Sequence, residues 1–292
     1  MDDNGSHALG ILGSMSVQHD MPRDARPELV DIGANLTHAS FQHDLPAVLA
    51  RARHAGVASI IVTGTSIEGS RAAQALAGQH RAGEKHARLY STAGVHPHSA
   101  AGFDVQSSAA LKALLEHPEV IAIGECGLDF NRAYTPHPEQ EKCFVAQLEL
   151  ACELGKPLFL HSRDAHPRFA DILRGHRDRL RGAVAHCFTG EADELRAYLD
   201  LDLHIGITGW ICDERRGRHL HALVREVPAD RLMIETDAPY LTPRSMRPQP
   251  KARRNEPAFL PHVLATVAEA RGEPIEDIAR TTSTNARRLF HL

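Results

Sequence analysis

The stretch VIAIGECGLD (residues 120–129) begins as a continuously apolar run and ends in polar residues. Such a run, with polar residues only at its end, is typical of a strand that is covered on both faces of a parallel sheet. Seven similar runs occur along the chain, and stretches with helical period separate them. The eight predicted strands are Leu29–Gly33, Ser59–Thr63, Leu89–Gly94, Val120–Gly124, Leu158–His161, Ala183–His186, Leu203–Thr208 and Leu232–Glu235.

This alternation of strands and helices predicts an α/β protein, a (β/α)8 TIM barrel formed as a single domain by residues 28–292. A doubly wound open sheet is the competing arrangement. Predicted helices include Pro46–Ala55, Ile67–His80, Glu139–Leu154, Asp193–Leu199, Glu256–Arg271 and Ile275–Leu289, with Gly56, Gly155 and Gly182 as helix stops. Residues 1–27 lack periodicity, and we interpret them as a disordered tail or an overlong translation start.

Composition narrows the class of protein. The chain has 33 basic and 37 acidic residues, which argues against a protein that coats nucleic acid through bulk charge. Aromatic residues make up only 5%, so a base-stacking platform is not obvious. The five cysteines form no C-x-x-C pair and no apolar run is long enough for a membrane span. We therefore expect reduced thiols, a cytoplasmic location, no membrane association and a monomer.

Polar residues cluster where the predicted strands end. Glu125, His161, His186 and Asp237 follow strands four, five, six and eight, whose carboxyl ends share one face of a barrel. Imidazole and carboxylate groups together bind divalent cations, and a bound cation activates water and polarises phosphoryl or carbonyl oxygens. The set predicts a metal-dependent hydrolase in which Asp237 or Glu125 assists proton transfer.

Each of these residues also has a simpler interpretation. A lone histidine at a strand end is often a hydrogen-bonded structural residue, although coincidence explains the whole set poorly. Cys126 and Cys187 adjoin predicted ligands, and strand alternation favours packing roles for both. Glu235 could share the face of Asp237 as a supporting acid. Arg163 could bind phosphate or form a structural salt bridge, and the basic run at residues 251–256 could contact phosphate or face solvent.

The motifs at these positions resemble those of the TatD family of metal-dependent deoxyribonucleases, within the amidohydrolase-like barrels. They are STAGVHPH (91–98), IAIGECGLDFNR (121–132), LHSRDAH (160–166), HCFTG (186–190), IGITGW (205–210), ICDERRG (211–217), IETDAPYL (234–241) and RRNEP (253–257). The resemblance implies a nuclease that removes nucleotides from single-stranded DNA at the 3′ end with Mg²⁺ or another divalent ion. It places the metal ligands on the four residues above.

The resemblance also implies a substrate-binding set. Its HPH element falls on His96 and His98, and we expect these residues to contact substrate together with Arg163, Arg253 and Arg254.

The chain departs from the family pattern at strand one. Many members have an H-x-H pair there, whereas this chain has Gly33 and Asn35. Because glycine cannot coordinate through a side chain and an amide is a poor ligand for transition metals, we expect one tight ion and a weak second one at most. The missing imidazoles favour Mg²⁺, with Mn²⁺ or Zn²⁺ as alternatives.

Two other functions remain open from sequence. Related barrels use similar ligands for acyl chemistry, so a metal-dependent amidohydrolase or esterase, such as an aminoacyl-ester deacylase, is the alternative enzyme. Those relatives often carry a modified lysine at the end of strand four, where this chain has Glu125. The non-enzymatic alternative is a barrel that only binds a partner.

Overall fold

A computed structural model describes residues 27–81, 85–132, 134–250 and 252–292. Eight strands pair in parallel and in chain order, from β1 to β8. They are β1 (Leu29–Ala34), β2 (Val57–Val62), β3 (Arg88–Ala93), β4 (Val120–Asp129), β5 (Leu158–Arg163), β6 (Ala183–Ala185), β7 (His204–Ile207) and β8 (Leu232–Ile234).

Helices follow each strand and cover the outside of the sheet. They are α1 (Leu45–His54), α2 (Ile67–Gln79), α3 (Val105–Leu115), α4 (His137–Leu154), α5 (His166–Arg174), α6 (Ala192–Asp200), α7 (Leu220–Glu226), α8 (Leu260–Arg271) and α9 (Ile275–Phe290). Within the described residues, no helix is both long and apolar enough to cross a membrane.

Backbone hydrogen bonds close the sheet between its first strand and the segment after its last. The Asp237 amide donates to the Gly33 carbonyl at 2.8 Å, and the Asn35 amide donates to the Ala238 carbonyl at 2.6 Å. An open doubly wound sheet has two unpaired edges, so these bonds exclude it. The predicted single-domain (β/α)8 barrel is confirmed.

Strand alternation divides the apolar residues into two cores. One core lies between the sheet and the surrounding helices. The other fills the barrel interior, where Phe159, Val184 and Met233 meet Leu289 and Phe290 of α9. The last helix therefore plugs the amino end of the barrel, and the carboxyl end remains for a functional site.

The predicted elements are largely confirmed, with local differences. β4 runs to Asp129, five residues beyond the predicted end, and its register with β5 shifts between Ile123 and Cys126. Gly155 ends α4 with φ of 62°, as expected. Gly182 was wrongly predicted as a helix stop, because α5 already ends at Arg174. The predicted tail falls outside the described residues except for Pro27.

Candidate metal centre

The polar residues of the candidate site occupy inward-facing positions at the mouth of the barrel. In β5, β6 and β8 the residue two positions after an interior apolar side chain is polar, and alternation keeps it on the same face. These pairs are Phe159 and His161, Val184 and His186, and Met233 and Glu235. The predicted convergence of strand-end side chains thus continues the packing order of the core.

One carboxylate oxygen lies at the centre of the site. Glu125 Oε1 is 2.9 Å from His161 Nδ1, 2.9 Å from His186 Nε2 and 3.4 Å from His96 Nε2. Glu125 and His186 are buried, and the other two histidines are mostly covered. Three of the four predicted ligands, Glu125, His161 and His186, are therefore in direct contact. His96, predicted to contact substrate, lies in the same cluster.

Mutual contact changes the proton affinity of these groups. Burial opposes ionisation of Glu125, but the adjacent imidazoles of His186 and His96 hold its pKa well below the usual value. Burial also opposes the charged form of His186, yet the carboxylates of Glu125 and Glu235 raise its pKa well above the ordinary range. Burial lowers the pKa of His96 to about 3, so this imidazole is neutral. The ionised form of Glu125 and the protonated form of His186 are therefore both favoured.

Glu235 holds the far side of the His186 ring. This fully buried carboxylate lies with Oε2 3.3 Å from His186 Nδ1, and its Oε1 accepts the Cys187 amide at 2.6 Å. A carboxylate on one ring nitrogen fixes the tautomer and leaves the other nitrogen available as a ligand. The sequence-based suggestion of a supporting acid agrees with this geometry.

Strand one supports the acids of the site without contributing an imidazole. A Cβ at Gly33 would collide with Glu235 Oε2 and would lie 2.8 Å from Phe159 Cζ, so no side chain fits there. Asn35 Nδ2 donates to Asp237 Oδ1 at 2.9 Å. Burial raises the pKa of Asp237 to about 7, with the charges of Glu125 and Glu235 adding to the effect. Asp237 can therefore exchange a proton near neutral pH.

Asp129 is a buried acid of the site that the sequence analysis did not assign. Its Oδ2 lies 2.7 Å from His98 Nε2 and 3.7 Å from His161 Nε2. Its Oδ1 accepts the amides of Asn131 and Arg132 at 3.0 and 2.9 Å. Asp129 thus orients His98 and also fixes the loop after β4. An aspartate at the end of a strand, followed by polar loop residues, was the available signal.

The donor set suits a divalent cation. The ligand atoms of His96, Glu125 and His161 lie within 4.8 Å of one another, a span that ligands of one ion can share. The buried Nε2 of His161 has no hydrogen-bond partner among the residues described. A bound cation would stabilise the carboxylates that now rely on imidazole contacts. These residues therefore fit a divalent metal.

The arginines predicted to bind substrate fall into two groups. Arg163 and Arg253 are exposed, and their guanidinium groups have no partner within the described part of the chain. Arg254 already has partners within the protein. It forms a bidentate pair with Asp44 at 2.8 and 2.7 Å and lies over the Phe41 ring at 4.7 Å. Arg132, not singled out from sequence, is exposed after β4 and also lacks a side-chain partner there.

The cysteines beside the ligands have structural environments. Cys126 is buried in the core outside the barrel, and burial raises its pKa well above the usual value. Burial raises the pKa of Cys187 to about 12. Neither thiol is activated as a nucleophile, in agreement with the packing roles expected from sequence.

Comparisons with known proteins relate this geometry to a family. The family model described as TatD related DNase matches residues 30–291. The 3′-5′ ssDNA/RNA exonuclease TatD of Pantoea vagans (strain C9-1) is 53% identical over 264 residues, which cover 90% of this chain and 100% of the relative. The protein of the same description from Klebsiella pneumoniae (strain 342) is 51% identical over 262 residues, covering 90% and 97% of the two chains.

A solved structure agrees in fold. YJJV, a TatD homolog from Escherichia coli k12, is 30% identical with a TM-score of 0.81, covering 90% of this chain and 98% of the other. The family model spans nearly the whole barrel, and relatives more than half identical cover 90% of this chain. The chain belongs to the TatD-related DNase family.

Proposed function

We propose that the chain is a Mg²⁺-dependent exonuclease that hydrolyses phosphodiester bonds of single-stranded DNA from the 3′ end. The observation that carries the proposal is the contact of three imidazoles with one oxygen of Glu125, near the partly buried carboxyl of Asp237, whose pKa is raised to about 7. Family membership supports phosphodiester hydrolysis, and the printed description of its relatives supports the strand and the direction. That description also names RNA, which we include as a second substrate.

Glu125, His161, His186 and Asp237 would hold the metal, with His96 at its edge. When bound there, the ion would lower the pKa of a water molecule and polarise the scissile phosphate. Because Gly33 has no room for a side chain and Asn35 is used to hold Asp237, strand one offers no imidazole to a second ion. A single tight ion is therefore the form that we propose, and the absence of imidazoles from strand one favours Mg²⁺ over Zn²⁺.

Asp237 is the proposed proton acceptor. Its Oδ1 accepts a hydrogen bond from Asn35, and no residue described by the structure donates to Oδ2. Asn35 thereby orients the carboxylate while leaving one oxygen for the proton of the attacking water.

Substrate phosphates would be bound by unpaired cations around the mouth of the barrel. Arg163 follows β5, Arg132 follows β4 and Arg253 lies in the segment after β8, all without side-chain partners within the described residues. Guanidinium groups bind phosphate bidentately, and exposed ones lose little by doing so. His98, held by Asp129, would add a donor between Arg132 and the ligand cluster.

The test is degradation of end-labelled single-stranded DNA. A 5′-label should yield a ladder that shortens from the 3′ end in Mg²⁺, with no products in EDTA. Glu125→Gln should remove the activity. Hydrolysis of amide or ester substrates without any loss of DNA would favour the acyl-hydrolase alternative instead.

We also propose that the enzyme acts as a monomer in the cytoplasm. All five cysteines are free, which suits a reducing compartment. Only three large apolar side chains, Val105, Tyr134 and Tyr240, are exposed in the described ranges. Light scattering on the purified protein should give the 32.0 kDa mass of one chain, and a dimer mass would contradict the proposal.

A further inference from the structure

Two tyrosines expose their rings to solvent beside the candidate metal centre. Tyr134 is 70% exposed and Tyr240 is 52% exposed. Val105 is the only other large apolar side chain that is exposed in the ranges that the structure describes. Isolated exposed aromatic residues are common on protein surfaces. These two tyrosines are distinguished by the hydrogen bonds that fix their backbone and by their position beside the candidate metal centre.

Tyr134 projects from an anchored loop. Asp129 accepts two amides of this loop, and Gln140 Nε2 donates to the carbonyls of Asp129 and Thr135 at 3.0 and 2.8 Å. The Tyr134 ring lies edge-on against His98, with centroids 4.8 Å apart, and His98 is 4.3 Å from His96. The solvent-exposed ring of Tyr134 therefore contacts His98, which contacts His96, and His96 lies next to Glu125.

Tyr240 is mounted in a similar way on the other side. Its amide donates to the Asp237 carbonyl at 3.0 Å, and its own carbonyl accepts Asn255 Nδ2 at 2.7 Å. Its ring lies edge-on against His38 at 5.9 Å. Burial raises the pKa of Tyr240, and the charges of Asp237 and Glu125 add to the effect.

Neither hydroxyl group has a hydrogen-bond partner in the described residues, so each residue presents its ring face and edge. Tyr134 follows β4 and Tyr240 follows β8, which are opposite strands in an eight-stranded barrel. The rings therefore stand on opposite walls around the metal centre. Aromatic rings in this position are surfaces on which nucleobases stack.

We propose that the rings of Tyr134 and Tyr240 are stacking surfaces for the two bases next to the scissile phosphodiester. The inference rests on the proposed nuclease function and defines the substrate that the site accepts. Bases held on opposite walls must be unpaired and unstacked from each other, which selects single strands over duplexes. Since every base has an aromatic face, this binding is tolerant of sequence.

The experiment pairs variants with matched oligonucleotides. Tyr134→Ala, Tyr240→Ala and the corresponding Phe and Leu variants are assayed for kcat and KM in Mg²⁺. The substrates are one oligonucleotide with an intact 3′ end and two others with a tetrahydrofuran abasic residue at the last or the penultimate position. Leucine keeps an apolar side chain without an aromatic face, and phenylalanine keeps the face without the hydroxyl.

The expected result is a KM about ten-fold higher for each Ala and Leu variant on the intact oligonucleotide, with little change in kcat. Phe should restore the lower KM. An abasic residue should raise the KM of the wild type about as much, but it should add nothing in the variant that lacks the matching ring. The abasic position that adds nothing to the KM of a given variant also shows which nucleotide that tyrosine contacts.

Three results would overturn the inference. One is an Ala variant whose KM stays within two-fold of wild type, and another is an abasic penalty that adds fully to the loss in both variants. In either case an active wild type would leave the nuclease proposal intact. A wild type that does not shorten the intact oligonucleotide would overturn the nuclease proposal and this inference together.

Discussion

Replacing Glu235 by glutamine isolates the group that orients His186. The side chains are nearly isosteric, and the carboxylate is wholly buried between His186 Nδ1 at 3.3 Å and the Cys187 amide at 2.6 Å. Because the Cys187 amide can only donate, the glutamine oxygen must face it, and the NH₂ group then donates to His186 Nδ1. His186 would be forced to carry its proton on Nε2, the nitrogen that faces Glu125.

A protonated Nε2 cannot act as a metal ligand, so Glu235→Gln should weaken Mg²⁺ binding and lower kcat/KM. Loss of a carboxylate that supports a ligating histidine typically costs 10- to 100-fold in affinity or activity, or roughly 1.4–2.7 kcal/mol. The assay is calorimetric titration with Mg²⁺ together with kcat/KM on single-stranded DNA. Glu119→Gln is the matched control, because Glu119 is buried at the amino end of β4, where it binds Gln74 and Arg81. An affinity and activity within two-fold of wild type in Glu235→Gln would refute the tautomer argument.

Three further predictions concern titration and charge. Burial raises the pKa of Asp31 from 3.8 to about 7, so this carboxyl takes up a proton on folding between about pH 4 and 7 and costs the wild type up to about 1.4 kcal/mol of stability per pH unit as the pH rises through that window. Urea unfolding of Asp31→Asn should show a slope smaller by this amount, with the contribution of Asp237 left in place, and an unchanged slope would contradict the assignment. Asp237 must lose its proton to act, so the Mg²⁺ concentration for half-maximal activity should rise about ten-fold per pH unit below 7, and Asp237→Asn should lower kcat about 10²- to 10⁴-fold; a metal requirement independent of pH would argue against this role. Arg254→Ala should cost about 1–2 kcal/mol of stability through its lost pair with Asp44, whereas Arg163→Ala should change stability by less than about 0.5 kcal/mol and raise the KM for DNA; the reverse pattern in unfolding and kinetic measurements would exchange their roles.

The barrel and the position of its site could be predicted from sequence because they depend on local patterns. Each apolar run marks a strand, and polar residues at the ends of parallel strands must share one face. The pairing of His161, His186 and Glu125 follows from that rule alone. The absence of imidazole ligands on strand one could also be predicted, because Gly33 and Asn35 occupy the two positions. The structure adds that Glu235 fills the space next to Gly33.

Other features depend on contacts that no local pattern encodes. The register shift in β4 lies between Ile123 and Cys126, so alternation could not be counted across Glu125. Arg254 was predicted to contact phosphate, and its pair with Asp44, 210 residues away in sequence, could not be inferred from the local pattern. Asp129 contacts His98 because the end of β4 meets the loop that follows β3. The low aromatic content made a base-stacking platform not obvious, whereas the proposed stacking surfaces depend on where two exposed tyrosines lie.

In the proposed site, Glu125 and its histidines hold one divalent ion. Calorimetric titration of the metal-free protein with Mg²⁺, or with Mn²⁺ for a larger signal, tests it most directly. We predict one tight site in the wild type and none in Glu125→Gln, with protons released on binding because the metal replaces those on His161 and His186, whose pKa values are raised. Unchanged tight binding in Glu125→Gln, or no measurable binding in the wild type, would contradict it.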